Sequence, residues 1–74
     1  MNSKEKELLR KCFENGEKKV FDDNKTAAEV AKILKENDIA FTLGSFEHEV
    51  GGKSVYNHGI IVEDVNKLNA LLSE

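Results

Sequence analysis

The chain has no proline, a single cysteine, and no apolar run near the ~20 residues that cross a bilayer. Each shortage excludes something. Without proline, the turns must be built by Gly, Asn and Asp. These cluster at Asn15-Gly16, Asp22-Asp23-Asn24, Asn37-Asp38 and Gly51-Gly52. Without a partner for Cys12 there is no disulfide framework of the kind that small secreted domains use. The N-terminus, MNSKEKELLRK, lacks the apolar stretch of a secretory signal. A cytoplasmic protein is the expectation. On a helix face made of apolar residues, Cys12 reads as core rather than nucleophile.

A basic surplus is also lacking. The net charge is −3. Residues 1–19 hold six Lys/Arg against four Glu, and residues 20–74 hold five Lys against ten Asp/Glu. Affinity for nucleic acid comes largely from phosphate neutralisation. Only Lys18-Lys19 and the N-terminal segment supply cations for that, so nucleic acid is a disfavoured partner. The abundance of Lys, Glu and Asn points to an AT-rich bacterial or phage genome.

What is present suits one small globule. The 74 residues are 39% hydrophobic and 34% charged, too apolar for a disordered chain. A chain this short buries roughly 60–65% of the surface that its unfolded form exposes. Its stability is then on the order of a few kcal/mol. An enclosed cofactor cavity would consume most of the core, and no cofactor is expected.

Apolar spacing gives the elements. Leu8, Leu9, Cys12 and Phe13 form one stripe of a helix over about 3–14, stopped by Gly16. Val20 and Phe21 suggest a short strand. In NKTAAEVAKILKEND, Thr26 is the expected N-cap, with Glu29 completing a capping box. Ala27, Val30, Ala31 and Leu34 share that helix's buried face, widened by Ile33, and Asn37-Asp38 ends it. IAFTLGSFEHEV and SVYNHGIIV flank Gly51-Gly52, a strong hairpin signal. The closing helix starts at Glu63 or Asp64, and Val65, Leu68, Leu71 and Leu72 form its apolar stripe. The expected fold is a small single α+β domain of order α-β-α-β-β-α. An antiparallel hairpin and a short N-terminal strand are covered by helices. The first helix reads as an extension of a βαββα core over 18–73.

With Gly51-Gly52 at the turn centre, Phe41 faces Val62, Leu43 faces Ile60, Ser45 faces His58, Glu47 faces Tyr56 and His48 faces Val55. Partners across a ladder share a face. Ile39, Phe41, Leu43, Ile60 and Val62 then make a continuous apolar patch for the helices. Toward the tip the same face carries Ser45, Glu47, Glu49, Ser54, Tyr56 and His58. There the apolar residues Phe46, Val50 and Val55 lie on the other face with His48. The switch falls where Gly44 opposes Gly59. One reading is a bulge at a glycine that returns Phe46, Val50 and Val55 to the core. The other is an unbroken hairpin whose tip offers an apolar face to the first helix or to a partner.

His48 and His58 fall on opposite faces, roughly 10 Å apart along the strand. Unless the hairpin is bulged they cannot share a metal, and Glu47 and Glu49 project away from His48. No metal site is expected. Nor does a nucleophile, base and orienter converge anywhere. Gly51-Gly52-Lys53 lacks the spacing and following helix of a phosphate loop. The chain does not read as an enzyme.

One resemblance rests on a short strand at Val20-Phe21, then Asn24, then Ala28-Glu29 and Ile33-Leu34 on a helix ending in Asn37-Asp38-Ile39. A hairpin and VEDVNKLNALL follow. From Lys19 to Leu72 the chain resembles a small βαββα family of prokaryotic signal-transducing proteins. The first helix departs from that pattern. The resemblance implies a half-open, ferredoxin-like sheet and dimers, and it carries over no functional residue.

The expected function is a non-enzymatic, protein-binding regulatory module acting through the hairpin tip, a free sheet edge or homodimer formation. A phage-type inhibitor that occludes a larger host protein is one form of it. The candidate partner-binding residues are Phe46, His48, Val50, Val55 and Tyr56, an apolar and aromatic set with a polar rim. Two alternatives stand beside it. TAAEVAKILKENDI resembles the opening helix of a helix-turn-helix, with the hairpin as the wing of a winged-helix DNA-binding regulator. A cleft between helix and sheet would suit a small-molecule sensor.

Overall fold

The computed structural model describes residues 2–73. Its elements are α1 (Ser3–Cys12), β1 (Lys18–Val20), α2 (Asn24–Glu36), β2 (Phe41–Val50), β3 (Lys53–Val62) and α3 (Val65–Leu72), the α-β-α-β-β-α order expected of an α+β domain. The strands form one antiparallel sheet of order β1-β3-β2.

The helices start on polar side chains that satisfy otherwise unpaired N–H groups. At α1, the Asn2 side chain accepts from the Glu5 N–H at 2.8 Å. The Glu5 carboxylate accepts from the Asn2 N–H at 3.1 Å, closing a capping box. At α3, Asp64 Oδ1 accepts from the Lys67 N–H at 3.0 Å. The start of α2 differs from expectation. Asp23 is the N-cap, not Thr26, and accepts from the Lys25 N–H at 2.9 Å. Thr26 lies within the first turn and donates its hydroxyl to Asp23 Oδ2 at 3.1 Å. A carboxylate draws on N–H groups more strongly than a hydroxyl, so the earlier residue takes the cap. Those donors hold the Asp23 carboxyl below its ordinary range, the Lys25 N–H foremost.

The core lies between one face of the sheet and the helices. It contains Leu9 from α1, Phe21, Ala27, Val30, Ile33 and Leu34 from around α2, Ile39, Ile60 and Val62 from the hairpin, and Leu68 from α3. α2 lies across β3 and β2, and α1 packs on α2 and α3. Two long-range hydrogen bonds tie the closing helix down. The Arg10 guanidinium donates to the Leu72 carbonyl, and Lys67 Nζ donates to the Asp38 carbonyl at 2.8 Å.

The hairpin register matches the sequence reading rung for rung, from Phe41 opposite Val62 to Val50 opposite Lys53. Gly51 and Gly52 both take positive φ, 59° and 80°, as a two-residue turn matched to strand twist requires. There is no bulge where Gly44 meets Gly59, so that reading is withdrawn. The expected apolar patch needs one further correction. Ile39, Ile60 and Val62 are buried and Phe41 is half-buried, but Leu43 is 52% exposed. It lies on the intended face, beyond the part of β2 that α2 covers.

Candidate docking surface on the hairpin

Strand geometry alternates side chains between two faces, so the unbroken register sorts the hairpin completely. Thr42, Gly44, Phe46, His48 and Val50 of β2 share the uncovered face with Lys53, Val55, Asn57, Gly59 and Ile61 of β3. β1 adds Lys18, opposite Ile61, and Val20, opposite Gly59. Among the described residues this face holds two lysines and a histidine on its strands, in a chain whose net charge is −3, and one carboxylate at its foot, Glu63, whose Oε1 accepts from the Thr42 hydroxyl at 3.1 Å. Glu47 and Glu49 are on the helix side.

Phe46 anchors the open face. Its ring lies over Gly59. A Cβ built at that glycine would be 2.5 Å from both Cδ2 and Cε2 of the ring, and one at Gly44 would be 3.6 Å from Cε2. Lys18 Nζ sits 4.2 Å from the ring centroid, within reach of its negative π-face. Asn57 is tied inward, its Nδ2 donating to the Phe21 carbonyl at 2.9 Å. Toward the tip the side chains are open, with Val55 37% and Val50 57% exposed.

The five expected partner-binding residues therefore divide. Phe46, His48, Val50 and Val55 share the open face, and Tyr56 is on the other. Tyr56 is 66% exposed beyond the helices. Its hydroxyl donates to Glu47 Oε2 at 3.3 Å, while the Ser54 hydroxyl donates to Glu47 Oε1 at 2.7 Å. Sequence reasoning missed Lys18, Val20 and Ile61. No local signal says which hairpin strand β1 joins, and the β1–β3 pairing is what brings these residues together. Lys53 could have been placed from the hairpin alone, by parity with Val50.

His48 and His58 lie on opposite faces, as the register requires. Among the described residues, no group of three or more His, Cys, Asp or Glu could hold a metal ion. Cys12 is half-buried, and burial pushes its thiol pKa up against a smaller opposing pull from Lys19. A raised pKa leaves little thiolate at neutral pH. An open hollow of about 580 Å³ between α1 and the start of α2 is lined by side chains of both charges, among them Lys4, Glu7, Lys11 and Glu29. It lies on the helix side, away from the hairpin's open face. No helix among the described residues is long and apolar enough to cross a membrane.

No protein-family profile, curated protein or solved structure matches the chain.

Proposed function

We propose that the protein is a small non-enzymatic regulatory module that binds another protein through the open face of its sheet. The observation that carries this reading is the composition of that face. Phe46, Val50 and Val55 supply apolar surface, and among the described residues Lys18, His48 and Lys53 are the ionisable groups that the three strands place beside them, with Glu63 held on Thr42 at the foot of the face. An apolar centre with a mainly cationic rim favours a partner patch that is apolar and edged by Asp or Glu. Occlusion of a larger host protein is the form of regulation that a domain this small suits best. The order β1-β3-β2, with helices on one side, is also what a half-open ferredoxin-like sheet would have. That supports the likeness to the signal-transducing βαββα family.

The test compares the two faces. Tagged protein captures its partner from a lysate. Val50→Glu and Val55→Glu, which put carboxylates on the open face, should abolish capture while leaving the circular dichroism unchanged. Glu47→Lys and Glu49→Lys, on the other face, should leave capture intact. Capture should weaken as salt screens the rim. Equal effects of the two pairs would contradict the reading. Capture that disappears after nuclease treatment would assign the face to nucleic acid instead.

A further inference from the structure

The sheet ends in two edge strands, and they are built differently. β1 is three residues long and two are lysines, the length and chemistry that blunt an edge. β2 is ten residues long, with no proline, no lysine and no bulge. The direction of its unpaired backbone follows from β3. The Phe21 N–H donates to the His58 carbonyl and the Val62 N–H to the Glu17 carbonyl, both at 2.8 Å. Even-numbered residues of β3 therefore face β1, and odd-numbered ones face β2. Their partners are the even-numbered residues of β2. Phe41, Leu43, Ser45, Glu47 and Glu49 are left with N–H and C=O groups pointing away from the sheet. Such an edge is a template for another strand.

We infer that a second copy of this chain occupies the β2 edge, antiparallel, about a two-fold axis at Ser45. With the axis there, all five outward-facing residues pair at once. Phe41 meets the partner's Glu49, Leu43 meets the partner's Glu47, and Ser45 meets the partner's Ser45. Moving the axis to Gly44 sets Glu49 against the partner's Ile39. Moving it to Phe46 sets Phe41 against the partner's Gly51. Both of those residues lie outside the strands. The Ser45 register makes about ten interstrand hydrogen bonds, and no rung in it opposes like charges. Leu43, exposed in the single chain, gains a neighbour.

Two local features suit the same register. On the open face Gly44 lies opposite the partner's Phe46, and because Gly44 has no Cβ and the Phe46 ring lies over its own chain's Gly59, that rung sets no two side chains against each other. At the foot of β2 a shallow hollow of about 360 Å³ is lined by Lys35, Asp38, Ile39, Ala40, Phe41 and Glu63. The partner's Glu49 arrives opposite Phe41 at the rim of that hollow, where Lys35 and the Lys67 ammonium held on the Asp38 carbonyl stand against the carboxylates of Asp38 and Glu63. The two sheets join into one, with both open faces on the same side. Self-pairing uses the edge and leaves those faces free, so it stands or falls separately from the docking function.

Sedimentation equilibrium of the full chain at micromolar concentrations tests the pairing. The mass should be twice 8.3 kDa. Ser45→Lys places two ammonium groups against each other at the axis and should give a monomer with unchanged circular dichroism. Ser45→Pro removes an N–H that bonds to nothing within the sheet and should do the same. If the proline variant unfolds, the lysine variant carries the test. Nitroxides fix the register in a Cys12→Ser background. Labels at Ser45 should lie close to their mates, and labels at Glu49 about 27 Å apart, eight residues along the strand. A monomeric parent protein overturns the inference. So does a dimer that survives Ser45→Lys, or one whose Glu49 labels are nearer than its Ser45 labels.

Discussion

Gly59 decides how the apolar side of the hairpin is arranged. Phe46 can place its ring over Gly59 only because nothing projects from that residue, where a Cβ would come within 2.5 Å of two ring carbons and 3.4 Å of the Lys19 carbonyl. The paired glycines at the switch point therefore make room for a ring. They do not break the ladder. Gly59→Ala should displace Phe46 from beneath Lys18 and cost about 1–3 kcal/mol, the usual range for overpacking. In a Phe46→Ala background the same change should be close to neutral or stabilising, because alanine is the better residue wherever space allows. A double-mutant cycle by urea denaturation measures the coupling. Additive costs would show that ring and glycine do not depend on each other.

At the scale of elements, α1 belongs to the core. Leu9 has no exposed surface and packs among residues of α2, the sheet and α3. Leu9→Ala should cost about 2–5 kcal/mol, comparable with the whole stability of a domain this size. The protein should then be largely unfolded by thermal or urea denaturation. A well-folded Leu9→Ala protein would make α1 an appendage. The element order and the turn of the hairpin were legible in the sequence, because Gly51-Gly52 centres a two-residue turn between two β-forming runs; whether the ladder passes unbroken through Gly44 and Gly59 was not, because a bulge and a continuous register suit the same residues. Less could be read wherever the outcome depends on contacts distant along the chain. The cap of α2 is a competition between Asp23 and Thr26 that type preference alone does not rank. Leu43 shows its face in the alternation, but nothing local says how far α2 extends across the sheet. The placement of Lys18 and Val20 beside Phe46 needed the β1–β3 pairing, which has no signature in the strand KKV.

The whole molecule measures 44 × 21 × 20 Å, a compact helical end from which the long hairpin projects. Apart from Glu63, bonded to Thr42 at the foot of the open side, its two faces divide the charge along the strands, with Glu47 and Glu49 on the side of the helices and Lys18, His48 and Lys53 on the side left open. The docking surface and the self-complementary edge both follow from one property, an unbroken ladder from the turn to Val62. Close Cα–Cα approach occurs at the pairs that exchange no hydrogen bonds, which here are Phe41–Val62, Leu43–Ile60, Ser45–His58, Glu47–Tyr56 and Glu49–Ser54. Cross-strand Hα–Hα NOEs in solution read these pairs directly. Strong peaks should link Ser45 to His58 and Glu47 to Tyr56 as well as Leu43 to Ile60. If the peak at Leu43–Ile60 is present but those beyond Gly44 fall one residue out of step, the ladder is broken at the glycines. Phe46, Val50 and Val55 would then turn toward the core, and neither the open face nor the Ser45 axis would exist.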